Sequence, residues 1–70
     1  MSERHVVYDH GEGDWKVIGA SSGATESRNK TQAGAIAEGE AEARRTGGGE
    51  VLIHGIDGKV HDKRIVEPSA

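Results

Sequence analysis

Four histidines, His5, His10, His54 and His61, have the widest chemical repertoire in this chain. An imidazole can ligate a metal, move a proton or change its charge near neutral pH. Asp9, Asp57 and Asp62 lie near them in sequence. Zinc, however, needs three or four ligands in tetrahedral convergence. No histidine pair has the i,i+4 spacing of a His-Glu-x-x-His helix. His54 and His61 flank one turn and can approach across a hairpin, but two ligands do not make a site. The expectation is therefore no metal and no cofactor. The histidines are read as satisfied or solvent-exposed side chains that could make an interface sensitive to pH.

Other chemistry is equally thin. Ser21, Ser22 and Ser27 lack a neighbouring activation motif, and no Gly-x-Ser-x-Gly elbow exists. GASSGATES, from Gly19, does not match a phosphate-binding Gly-x-x-x-x-Gly-Lys-Ser/Thr loop. The carboxylates fall mostly on a helix exterior, and a domain this small does not enclose the usual concave pocket by itself. No catalytic residue is assigned, and the chain is expected not to be an enzyme.

Lys16, Arg28, Lys30, Lys59, Lys63 and Arg64 could form a basic edge for nucleic acid, with Tyr8 and Trp15 available for stacking. Against that stand a net charge of −3 and charges mixed along the chain without a basic stripe. Trp15 is the largest apolar side chain available and is expected in the core.

One long segment must position whatever the chain does. Residues 31–46, TQAGAIAEGEAEARRT, read as a helix. Thr31 is the expected N-cap, because its hydroxyl can accept from a free first-turn amide. Gly34 stands where a capping box would place Glu or Gln. Arg44 and Arg45 suit the negative end of the dipole, and one of Gly47, Gly48 and Gly49 can take the left-handed conformation that ends a helix. The wheel groups Glu38, Glu42 and Arg45 on one side and Glu40 with Arg44 on another. Between them lies a charge-free sector of Ala35, Ile36, Gly39, Ala43 and Thr46, which is expected to face the protein. Gly39 costs about 1 kcal/mol relative to Ala in a helix interior. It reads either as close backbone contact with a sheet or second subunit, or as simple tolerance of Gly.

The flanking segments read as strands. His5-Val6-Val7-Tyr8 and Trp15-Lys16-Val17-Ile18 form one hairpin around a Gly-containing loop. In the small polar segment 19–30 the second strand can extend before the chain becomes a flexible connection to the helix. Residues 50–54 form the most apolar strand, and 59–66 the last one, stopped by Pro68. Asp57-Gly58 between them signals a hairpin, either a two-residue turn or a type I turn with Gly58 in a bulge. Val60 falls opposite His54 in one arrangement and nearer Ile53 in the other. Residues before His5 read as a polar, frayed start.

The expected fold class is therefore α+β: ββαββ, an antiparallel sheet with one helix packed on one face. It forms a single domain over 1–70, ordered over about 5–66. Trp15, Val17, Ile36, Val51 and Ile53 are the expected core. With 33% hydrophobic residues, eleven Gly, one Trp, one Tyr, no Phe and no Cys, the core is small and unstapled. Association with another copy is the remaining remedy. Strands with apolar residues on both faces leave one face for that contact. No apolar run approaches the ~20 residues that span a bilayer. There is no signal-peptide pattern either, so no membrane association and a cytoplasmic location are expected.

Several of these pieces, in this order, resemble a family of small prokaryotic proteins of unknown function. They are His5-Val6-Val7, Trp15-x-Val17, Thr31-Gln32 with Ala35-Ile36, Glu50-Val51-x-Ile53-His54-Gly55 and Asp57-Gly58-Lys59-Val60. The resemblance covers nearly the whole chain and implies one ββαββ domain with an Ile-His-Gly…Asp-Gly hairpin. It implies no established activity and no functional residues. Gly34, where the family often has an acidic residue, and Gly39, where Ala is common, depart from it. Those departures bear on helix strength more than on fold. The resulting expectation is a non-enzymatic module that self-associates as a dimer and carries no cofactor, with a nucleic-acid-binding module that uses a basic edge of the sheet as the alternative.

Overall fold

The structure, a computed structural model, describes residues 2–19 and 21–69. Met1, Ala20 and Ala70, on which parts of the expected start, connection and tail fall, lie outside them. Three strands precede the helix: β1 (Ser2–Asp9), β2 (Asp14–Gly19) and β3 (Thr25–Asn29). The helix α1 (Gln32–Arg45) is followed by β4 (Gly49–His54) and β5 (Val60–Val66). The sheet order is β3-β2-β1-β4-β5. All neighbours are antiparallel except β1 and β4, which are parallel.

Two expectations are corrected together. The element order is βββαββ, because 25–29 is a strand rather than part of a flexible connection. The sheet is mixed rather than antiparallel, and this follows from the extra strand. After two strands the chain would return to the end where it began; a third strand carries it back to the far end. The helix then runs the length of the sheet and delivers β4 beside β1 in the same direction. The start of the chain is also not frayed at Ser2–Arg4, which pair with Gly49–Val51 of β4.

Local chemistry sets the helix ends. The Thr31 hydroxyl accepts from the Gly34 amide at 3.0 Å, as expected of an N-cap. Thr31 is itself held by Asn29, whose Oδ1 accepts from its amide at 3.0 Å and its hydroxyl at 3.1 Å. A Cβ at position 34 would lie 2.2 Å from that oxygen. Gly34 therefore makes room for Asn29, which supports the cap in place of a capping-box carboxylate. At the other end the Gly48 amide donates to Ala43 O at 2.7 Å and the Gly47 amide to Arg44 O. With φ of 98° at Gly47 and 85° at Gly48, this is a Schellman termination.

The covered face of the sheet is built from residues paired across strands. Val17, Val6 and Ile53 form its central row, with Trp15 beside Tyr8 above it and Arg4 beside Val51 below. Val6, Val17, Val51, Ala35 and Ala43 are fully buried, and Trp15, Ile53 and Val66 nearly so. Ile36 is half-buried against this cluster. Gly39 rests on its centre: an added Cβ would stand 3.5 Å from Val51, 3.6 Å from Val6 and 3.7 Å from Val17. These are ordinary contact distances, so the helix packs closely on the sheet there and still has room for a methyl. Thr46, expected to be buried, is instead the exposed C-cap residue, with its hydroxyl bonded to Glu42 O at 2.8 Å. Glu40 turns toward Arg64 of β5 at 3.8 Å, while Glu42 pairs with Arg45 as its side of the wheel suggests.

Candidate functional site

The same alternation that buries Arg4, Val6, Trp15 and Val17 sends their neighbours to the opposite face. No element lies over that open face among the described residues. Its central row runs Thr25, Ile18, His5, Leu52 and Lys63 across all five strands. Arg28, Lys16 and Val7 form a row on one side of it. Glu3, Glu50 and Ile65 form a row on the other.

Two side-chain networks occupy this face. The first joins His5 of β1 to His54 of β4, with His5 Nδ1 and His54 Nε2 2.8 Å apart. The outer nitrogen of each ring is also engaged. His5 Nε2 lies 3.0 Å from Glu3 Oε1, and His54 Nδ1 lies 2.9 Å from Gly58 O. The ring centroids are 5.0 Å apart, so the imidazoles meet end to end rather than stacking.

The second network surrounds Asp9. Its Oδ1 accepts from the Gly11 and Glu12 amides at 2.9 and 3.1 Å, which orders the β1–β2 turn. Its Oδ2 accepts from Arg28 at 3.0 Å and lies 3.5 Å from Lys16 Nζ. Arg28 also donates to Asp14 at 2.9 Å. Asp9 and Asp14 are direct cross-strand neighbours, and the guanidinium between them offsets their repulsion. The Arg28 bond is the largest reason that the Asp9 carboxyl is pulled down to about 2, with the Glu12 amide next. Asp9 raises the Arg28 guanidinium in turn.

The other histidines serve the two turns. His10 donates from Nε2 to Ile56 O at 3.0 Å, tying one hairpin loop to the other. His61 lies 3.0 Å from Asp57 Oδ1. The Lys59 amide and His61 lower the Asp57 carboxyl, in that order. The β4–β5 turn is the bulged alternative: the Gly58 amide donates to Gly55 O, φ at Gly58 is 84°, and Val60 stands opposite His54. His54 thus turns toward His5 rather than His61. No group of three or more metal-binding side chains occurs among the described residues.

The six basic candidates do not share one surface. Lys16 and Arg28 lie side by side on the open face, both engaged by Asp9. Lys63 is also on that face, 3.7 Å from Glu50. Arg64 points to the helix side, near Glu40 and Asp62. Lys30 and Lys59 stand exposed in the connections before α1 and β5. On the covered face, sequence reasoning missed the pair of Arg4, 6% exposed, with Glu26 at 2.7 Å. Gly19 makes space for it, since a Cβ there would lie 3.2 Å from the Glu26 carboxylate.

No described helix is long and apolar enough to cross a membrane. Residues 4–66 match the family described as "Uncharacterized protein conserved in bacteria (DUF2188)". The chain belongs to that family. No curated protein and no solved structure matches it significantly.

Proposed function

We propose that this member of the DUF2188 family is a small non-enzymatic module that works as a dimer, with the open face of its sheet as the contact between two copies. The observation that carries this reading is the apolar surface on that face. Ile18 and Leu52 flank His5, and Val7 lies in the next row. Toward the β5 edge, Ile65 and Val60 are 62% and 51% exposed. A wet antiparallel face ordinarily alternates to polar residues, whereas apolar residues here continue across both faces.

Size and charge favour a second copy. Five strands ~4.8 Å apart and ~20 Å long present roughly 500 Å² of sheet plane. Side-chain relief raises the accessible area above that figure, toward the ~800 Å² per partner of an ordinary specific interface. Lys16, Arg28 and Lys63 each have a carboxylate within ion-pair distance. Two such faces can therefore meet without large unpaired charge, and the cations are less available to phosphate. The single helix supplies Ala35, Gly39 and Ala43 to the core. A core this small gains from covering the second face.

Sedimentation equilibrium at micromolar concentration tests the proposal. The wild type is expected at twice 7.4 kDa, and Leu52→Asp at the mass of one chain with an unchanged far-ultraviolet spectrum. A wild-type mass of one chain throughout the concentration range removes the proposal.

A further inference from the structure

We propose that His5 and His54 form a single proton-binding unit that holds one proton beyond two neutral rings, shared between His5 Nδ1 and His54 Nε2. The partners on the outside of the pair carry the argument. A carboxylate and a peptide carbonyl accept hydrogen bonds and do not donate them. Glu3 therefore requires hydrogen on His5 Nε2, and Gly58 O requires it on His54 Nδ1. With those positions filled, two neutral rings would direct lone pairs at each other across 2.8 Å. One added proton converts that contact into a hydrogen bond. It can sit as His5 Nδ1–H donating to His54 Nε2, or as His54 Nε2–H donating to His5 Nδ1. The proton total and the outer bonds are the same in both cases, so the pair titrates as a unit.

Proton gain and loss each break the chain. Removing one proton leaves a neutral pair that can keep the His5–His54 bond only by giving up the outer bond to Glu3 or to Gly58. Adding a second places two N–H donors against each other. The surroundings include charges of both signs. Glu3 and Glu50 lie on one side in the next row, Lys16 is on β2, Lys63 is opposite Leu52 on β5, and Asp57 with His61 stands beyond the turn. Ile18 and Leu52 flank His5 directly.

The position gives the proton a structural consequence. β1 and β4 form the parallel seam between the antiparallel groups β3-β2-β1 and β4-β5. The shared proton clips that seam on the open face and, through Gly58, fastens the β4–β5 turn to it. Changing the proton count would therefore reshape the centre of the open face. This inference rests on the bonds within one chain and stands or falls separately from self-association.

Long-range proton–nitrogen NMR of the imidazoles, followed through the acid and neutral range, tests it at a concentration where the chain has a single measured mass. His5 and His54 are expected to move together through two separated one-proton steps. In His54→Gln, His5 is expected to show one independent step. Where that variant loses the fold, His5→Gln read at His54 provides the reciprocal comparison, and the wild-type curves remain decisive. Independent single steps for His5 and His54 in the wild type, or a His5 curve unchanged by His54→Gln, overturn the proposal.

Discussion

The two faces of the sheet use the same strands and opposite kinds of chemistry. The covered face is Val6, Val17, Val51 and Ile53 against Ala35, Gly39 and Ala43. Small helix residues let the backbone of α1 come close, so stability there depends on shape and excluded water. The open face carries the histidine pair and the Asp9–Arg28–Asp14 network, set among Val7, Ile18 and Leu52. The difference shows how one period-2 alternation can place the packed core on one face and leave polar networks and uncovered apolar residues on the other.

The largest expected effect contrasts an aromatic residue beneath the helix with an apolar residue on the open face. Trp15→Ala removes the largest side chain of the core and should cost about 3–5 kcal/mol. A domain of this size has only roughly 4–10 kcal/mol in total, so the variant should lose a third or more of its stability and unfold at a much lower urea concentration. Ile18→Ala should cost about 1 kcal/mol in the isolated chain, because Ile18 is half-buried. Urea unfolding measures both. Equal losses would erase the distinction between the faces.

A smaller effect should have the opposite sign. Gly39→Ala places a methyl at ordinary contact distance from Val6, Val17 and Val51. It also removes the backbone-entropy penalty of Gly in a helix. The expected result is a gain of about 0.5–1 kcal/mol, seen as a higher urea midpoint. A loss of stability would mean that helix and sheet are packed too tightly for the methyl.

The smallest effect lies on the open face and depends on pH. Asp9 has its carboxyl lowered from 3.8 to about 2, first by Arg28. Its folded-state value is below its unfolded value, so its contribution is present above pH 3.8 and is lost as pH falls through about 2. Asp9→Asn should therefore be less stable than wild type above that window and converge with it below. The carboxyls of Glu42 and Asp57 are lowered as well, so some acid sensitivity should remain. A constant difference between the two proteins at all pH values would contradict the assignment.

The helix was legible because its signals are local. Thr31 caps it, three consecutive glycines end it, and Ala35, Gly39 and Ala43 recur on one side. The core strands were also legible through Trp15, Val17, Val51 and Ile53. Strand β3 was not, because Thr-Glu-Ser-Arg-Asn contains no apolar residue. Its structure comes from pairing with β2 and from Asn29 beneath the helix. Missing β3 also hid the parallel seam, since the number of strands before the helix sets the direction of β4. The histidine pair joins residues 49 positions apart across that seam, and the Arg4–Glu26 pair joins β1 to the bulged edge strand. Neither spacing has a local motif. Membership in the family was legible from several short motifs spread along the chain, and residues 4–66 match it.

The most direct test of the open face as the recognition surface is a dilution series of amide NMR spectra from millimolar to micromolar concentration. Concentration-dependent shifts are predicted for Val7, Lys16, Ile18, Leu52 and Ile65, with Glu38 and Glu42 on the helix unchanged. Spectra that do not change on dilution, or changes centred on the helix, would contradict the account.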